Sequence, residues 1–322
     1  MVQALDERLP PGPESLRQAA WAGLQDSMPR AALLSIHARV AGTTPSAWED
    51  PALVQIWGPR FSTYAVPAQD VALFTRGRWP DDSRGRRVAE EMADGMQRVL
   101  GDRRMRDRDV ADALGGVGNR IRYAATTGTI LIRWEGALAP TIWAVPAPNV
   151  DPMDARVELA RRYLHVFGPT TPETFAEWAG IGSAQGRAAF DVLAESLTPV
   201  RTPIGDGWIL TSDEPALRAR PAPAAPARLL PSGDTFYLLQ GADRELLVPE
   251  ADRRLLLWTS RVWPGAVLVR GEVAGTWRRA GTTVMVKPWR PLQATERSAI
   301  EAEVESLPLP GLAGRVRANW EA

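Results

Sequence analysis

Cysteine is absent from the 322-residue chain, which excludes disulfides, thiolate-held zinc and cysteine nucleophiles. Histidine occurs only at His37 and His165, so a histidine-rich metal site is excluded as well, and neither a metal nor a cofactor is expected. Net charge is also lacking, because 38 Lys and Arg balance 38 Asp and Glu. A chain of this kind does not coat nucleic acid nonspecifically, and any such binding must come from local asymmetry. No stretch has the apolar core of a signal peptide and no run approaches the ~20 apolar residues of a membrane span, which makes a cytoplasmic protein the expectation. Lysine is nearly missing, with Lys287 alone; its place is taken by arginine, the better fork for phosphate and guanine. The richness in Ala, Arg and Pro fits a GC-rich genome equally well.

What the chain does have is 45% hydrophobic residues, enough to bury a large core over two to four domains. The most informative stretch is Asp107 to Pro146. A short apolar-periodic helix (Val110, Ala113, Leu114) meets a glycine-rich turn (Gly115, Gly116, Gly118). A second helix is predicted from an Asn119 cap, with Arg120, Arg122 and Tyr123 on its first turn, side chains that reach phosphates or base edges. Two β-rich runs then join at Glu135-Gly136, giving a helix-turn-helix followed by a wing. A compact helical unit with a hairpin serves equally as a protein-protein scaffold, and this stretch alone leaves the two open.

Upstream, Leu16, Ala20 and Leu24 share one helical face, Met28-Pro29 interrupts the pattern, and a buried helix follows from Arg30 to Val40. The break leaves Gln25, Asp26 and Ser27 at a helix end, held rigidly yet reachable; on spacing alone they also serve as caps. Trp57-Gly58-Pro59-Arg60 reads as a β-turn before a strand with Phe61, Thr63 and Ala65 on one face and Ser62, Tyr64 and Val66 on the other. The segment from Arg76 to Arg87 reads as a solvated loop, and Val88 to Leu100 as a helix whose stripe of Met92, Met96, Val99 and Leu100 is core.

After Pro146 to Pro152 the design repeats. Met153 to Phe167 is helical, Thr171-Pro172-Glu173 starts a further helix, Gly180-Ile181-Gly182 turns, Ser183 caps a longer helix, and Thr198 to Leu210 forms a wing around Gly205-Asp206-Gly207. Two tandem units of one design make chance patterning a poor explanation. A second Pro/Ala linker, Pro215 to Pro226, leads into a β-rich region with runs at Phe236 to Leu239 and Leu246 to Pro249 and hairpin turns at Arg270-Gly271 and Ala280-Gly281. Between Arg253 and Arg290 the basic residues, Arg278 and Arg279 among them, face Glu272 alone within the segment, interleaved with Trp258, Trp263, Trp277 and Trp289. That mixture suits a phosphate and stacking surface, or a half-buried sheet whose outer face carries arginine.

The fold class expected is therefore α+β, mainly α, with tandem winged-helix units and a β-rich C-terminal region. Its parts would be a first unit at 1–85 with the Gln25-Asp26-Ser27 motif and hairpin, winged helices at 86–150 and 151–220, and a β-rich domain with a closing helix at 221–322. In that order, and in the stretches GLQDSMPRAALLSIHARV, ATTGTILIRWEGALAPTIW, RRYLHVFGPTTPETFAEWAG and PGAVLVRGEVAGTWRR, the chain resembles the HTH_42 family of winged-helix DNA-binding proteins, to which the AlkZ/YcaQ-type DNA glycosylases belong. The resemblance runs from about Ser15 to Leu307.

The resemblance implies tandem winged helices around a DNA channel and a hydrolase of N-glycosyl bonds in DNA repair. The family's Gln-x-Gln or Gln-x-Asp pair falls on Gln25 and Ser27, so Gln25 matches and Ser27 departs. Its Arg-x-Thr-x-His hairpin falls on Arg60, Ser62 and Tyr64, where only the arginine is kept. An N7- or N3-alkylated purine already carries positive charge, so its glycosidic bond breaks towards an oxocarbenium-like sugar without a general acid, and the protein has only to steady the cation and hold a water.

The resemblance thus assigns catalysis to Gln25 and Ser27, with Asp26, Arg60, Ser62 and Tyr64 lining the site and Arg120, Arg122, Tyr123, Arg278 and Arg279 on DNA. Asp26, as the middle residue, points away from the pair on a regular backbone. The partner is double-stranded, alkylated DNA, and the protein a monomer without a membrane partner. A noncatalytic DNA-binding protein, a damage sensor or regulator, is the alternative.

Overall fold

A computed structural model of the chain describes residues 3–26, 28, 30–135, 139–311 and 314–321. Ser27, half of the expected catalytic pair, and Gly136, at the expected wing tip, lie outside the described residues. The chain forms two compact units. A terminal unit takes residues 1–19, 30–50 and 215–322, and a central unit takes residues 20–29 and 51–214.

Helices α1 (Pro13–Ala19) and α2 (Ala31–Arg39) belong to the terminal unit. Every residue of α2 is buried, the apolar Leu33, Leu34, Ile36 and Ala38 as expected and the polar Ser35, His37 and Arg39 as well. The helical face expected to reach Leu24 stops short of it. Gly23, at φ 74°, turns the chain, and Leu24 and Gln25 become the strand β1 (Leu24–Gln25). An added methyl at Gly23 would lie 3.0 Å from Tyr64, so this turn needs both the left-handed backbone and the missing side chain.

In the central unit, β2 (Leu53–Trp57) and β3 (Thr63–Pro67) make the expected hairpin and are followed by α3 (Val71–Arg76). Helix α4 (Ser83–Leu100) starts five residues before the expected Val88. Asp82 explains the early start, because its carboxylate accepts from Gly85 N at 2.7 Å and caps the first turn. Nor is the preceding segment wholly solvated, for Trp79 is buried. Next come β4 (Met105–Arg106) and α5 (Asp107–Ala113). The predicted second helix with an Asn119 cap is instead a 3₁₀ stretch, Gly118–Thr127, that begins after Val117 and has no side-chain cap.

The strands β5 (Ile130–Arg133) and β6 (Thr141–Ala144) complete a six-stranded sheet of order β1-β3-β2-β5-β6-β4. The hairpin of the first expected domain and the wing of the second thus share one sheet, joined at the pair Gln55 and Ile132, and a boundary at 85 does not separate them. Under the sheet, Trp57, Met96, Leu100, Val110, Ile121 and Ile132 pack into one core, with Met96 and Leu100 fully buried as the stripe predicts.

Next come α6 (Pro152–Phe167), α7 (Pro172–Ala179) and α8 (Ser183–Leu193), followed by the two-stranded hairpin β7 (Leu197–Thr202) and β8 (Gly205–Leu210). Thr171 caps α7 by accepting from Thr174 N at 3.2 Å. At α8 the cap position falls on Gly182, and Ser183 is the first helical residue.

In the linker, α9 (Glu214–Arg218) is a short turn of helix, and β9 (Ala227–Leu230) opens the sheet of the terminal unit. The runs at 236–239 and 246–249, expected to be extended, are not strands; α10 (Arg244–Leu247) and α11 (Ala251–Leu257) occupy this region. Tyr237 is buried, its hydroxyl donating to Pro231 O and Pro264 O at 2.6 and 2.9 Å, so apolar residues here fill core without pairing as a strand.

Strands β10 (Gly265–Val269), β11 (Glu272–Ala280) and β12 (Thr283–Pro288), helix α12 (Ala294–Glu305) and β13 (Arg317–Trp320) finish the chain. The sheet order is β13-β12-β11-β10-β9, with both predicted hairpin turns in place. Among the described residues no helix is long and apolar enough to cross a membrane.

Candidate functional site

Strand β1 is only two residues long, and β3 dictates its position. Gln25 lies opposite Tyr64, and Asp26 N donates to Thr63 O at 2.8 Å. Because side chains alternate along a strand, Gln25 shares a face with Tyr64 while Asp26 takes the other. Asp26 is buried and accepts from Gln55 Nε2 at 2.6 Å. Gln55 in turn accepts from Trp134 N at 2.7 Å, so the carboxylate is fastened to the sheet and turned away from Gln25. The amide oxygen of Gln25 is itself shielded from solvent.

Tyr64 is fully buried. Burial pushes its phenol up to about 12, against the opposing influence of Arg60 and Arg78, so the hydroxyl stays protonated at neutral pH. The turn preceding it is strained. Arg60 and Phe61 have φ of 52° and 57°, a region that costs an ordinary residue ~1–2 kcal/mol. Gly180 makes room for the turn, since a methyl added there would lie 3.0 Å from Arg60 N. Ser62 is half-buried and uses its carbonyl to accept from Gly58 N at 2.8 Å.

The strained turn brings the ring of Phe61 into a T-shaped contact with Tyr123, centroids 5.4 Å apart. Arg122 donates to Phe61 O at 3.4 Å, whereas Arg120 and Tyr123 stay exposed. Phe61, Arg120 and Tyr123 line a cavity of about 540 Å³, together with Arg78, Arg84 and Gln185.

Arg78 stands out among the residues that sequence reasoning passed over. It is 3% exposed, donates from Nε to Ala179 O at 2.8 Å and from Nη1 to Trp57 O at 3.1 Å, and sits 4.8 Å from the Phe61 ring centre. Burial lowers its pKa to about 10, which leaves it charged at neutral pH. Its neighbours Trp79-Pro80 were the available signal that the Arg76 to Arg87 segment is not simply solvated. Gln55 carried no signal at all.

Seven of the expected residues, Gln25, Arg60, Ser62, Tyr64, Arg120, Arg122 and Tyr123, therefore lie on the central unit with Asp26, and of these seven Arg120 and Tyr123 line the cavity. Asp26 is placed on the opposite face of the sheet. Arg278 and Arg279 belong to the terminal unit, where they are exposed and donate to Val262 O and Gly281 O at 2.8 and 2.9 Å. The basic segment around them is less one-signed than its sequence suggests, because Arg253, Arg254, Lys287 and Arg290 pair with Glu250, Glu245, Glu321 and Glu296.

The fold as a whole is similar to that of Streptomyces sahachiroi DNA glycosylase AlkZ, with a TM-score of 0.78 and 19% identity over 99% of this chain and 96% of the other. A helical and sheet architecture of that class is thus established. The family model described as DNA glycosylase AlkZ-like matches residues 19–308, and the chain belongs to that family. A curated relative, the interstrand DNA cross-link repair glycosylase of Streptomyces sahachiroi, is 29% identical over 158 residues, covering 48% of this chain. The match spans only 42% of that relative's length.

Proposed function

We propose that this protein is a winged-helix DNA-binding enzyme that excises alkylated purines by hydrolysing the N-glycosyl bond. The observation that carries the reading is the pairing of Gln25 with Tyr64 on one face of the sheet, with Arg60 beside the phenol, in a chain of the AlkZ-like family. Gln25, with Ser27 two residues on, would hold the attacking water beneath the sugar. A neutral amide suffices, because an alkylated purine leaves without prior protonation and the transition state asks mainly for aimed dipoles. Arg120, Arg122 and Tyr123 would meet the DNA beside the site, and Arg278 and Arg279 would meet phosphates from the terminal unit.

The test is base release from duplex DNA carrying N7-methylguanine, read as alkali-labile strand breaks. Gln25→Ala should lower the rate by ~100- to 1000-fold, the usual cost of losing one aimed polar group, without loss of folding. A wild type that releases no alkylated purine while binding the same duplex in a salt-dependent way would move the protein to the noncatalytic DNA-binding class. Tyr64 favours that second reading, since at the position of the family's histidine it offers a phenol held near 12 and so has no base to give at neutral pH.

A further inference from the structure

The cavity beside Tyr123 has a chemistry of its own. Three guanidinium groups, from Arg78, Arg84 and Arg120, line it against the single carboxylate of Asp82. That carboxylate is already engaged as the cap of α4, accepting from Gly85 N at 2.7 Å. The N-termini of two helices, α4 at Asp82 to Gly85 and α8 at Gly182 to Gln185, contribute lining residues, and both present the positive end of a helix dipole. Gln185 is committed elsewhere, donating to Trp79 O at 2.9 Å and accepting from Gly182 N at 3.1 Å.

Arg78 supplies the independent pointer to a ligand. It is almost wholly buried, no carboxylate pairs with it among the described residues, and its Nη2 has no hydrogen-bond partner there. A buried guanidinium with an unused N–H is costly unless an anion completes it. The aromatic edge of the cavity is equally suited to a ligand. Tyr123 is 41% exposed and meets Phe61 in a T-shaped contact, so the exposed part of its ring is available for stacking. A volume of about 540 Å³ accommodates one nucleotide.

We infer that this cavity binds a phosphate-bearing nucleotide, its phosphate among Arg78, Arg84 and Arg120 and its base against Tyr123. The inference rests on the proposed DNA reading only in taking the nucleotide to belong to a DNA strand; the same phosphate ester chemistry would come from a free nucleotide. In the DNA case the pocket anchors one nucleotide of the strand at Phe61, in the turn that leads to Tyr64.

The experiment is calorimetric titration of the full chain with 2′-deoxyadenosine 5′-monophosphate, with deoxyadenosine and inorganic phosphate run separately. The monophosphate should bind saturably, inorganic phosphate should compete with it, and deoxyadenosine should bind at least about tenfold more weakly, the ratio expected when charge-assisted bonds are lost. Arg120→Ala and Arg84→Ala, both at exposed positions, should each weaken the monophosphate by about tenfold at unchanged melting temperature. Arg78→Met is a third variant, read only if it remains folded.

Absence of saturable binding, or binding indifferent to Arg84 and Arg120, would overturn the site. Displacement of the monophosphate by an unmodified duplex supports a strand nucleotide as the natural occupant; monophosphate binding that a duplex leaves untouched overturns that assignment and points to a free nucleotide. Gln25→Ala should retain the monophosphate, so loss of base release and loss of the pocket are read separately.

Discussion

His37 is kept uncharged inside the terminal unit. Burial, with Arg8 and Arg228 nearby, lowers its pKa from 6.5 to about 3, and its Nε2 lies 3.1 Å from Ser306 Oγ and 3.4 Å from Arg8 Nη2. Since the unfolded chain protonates this imidazole near 6.5 and the folded chain resists until about 3, its contribution to stability is present above 6.5 and lost as the pH falls through that interval. Each pH unit of the interval is worth ~1.4 kcal/mol. Chemical denaturation at pH 6 and pH 4 should therefore show the wild type losing roughly 2–3 kcal/mol more than His37→Gln. Equal losses in the two proteins would contradict the assignment.

The elements around Gln25 depend on one turn. Gly23 combines φ of 74° with side-chain contacts to Tyr64 and Phe74 that an extra methyl would crowd at 3.0 and 3.1 Å. Gly23→Ala should destabilise the fold by ~1–3 kcal/mol and, by shifting β1 against β3, lower base release more than its stability cost explains; thermal unfolding and rate measured together check this. The same turn shows where sequence reading stops. Helix α2, the stripe on α4, the Thr171 cap and the β7-β8 hairpin were legible because each is written in contiguous periodicity or cap chemistry. Strand β1 was not, because two residues carry no periodicity and its identity comes from pairing with Tyr64 and Ala65, some forty positions later. For the same reason Arg78 read as solvated, its burial being imposed by Trp57 and Ala179, which its guanidinium reaches across the fold. Gln25, Arg60 and Tyr64 were found through a family resemblance, and the pairing that unites the first and last of them is visible only in the sheet.

At the scale of the whole molecule, the terminal unit is assembled from both ends of the chain. Arg39 on α2 forms a two-pronged ion pair with Asp234, at 2.7 and 2.8 Å, with both side chains almost wholly buried. Ser35 and Thr235 hydrogen-bond into the same cluster. Asp234→Ala would leave the guanidinium buried without its anion and should cost ~3–5 kcal/mol, whereas paired replacement of Arg39 and Asp234 by apolar residues should cost less; urea denaturation of both variants decides it. The arrangement also imposes an order on biosynthesis. At ~5–20 residues per second, the buried face of α2, with Leu33, Leu34 and Ile36, leaves the ribosome roughly 10 to 40 s before Asp234 and the strands that cover it. The nascent chain therefore carries an uncovered apolar helix while the central unit is being made, and chaperone occupancy on stalled chains ending before residue 214 should concentrate there.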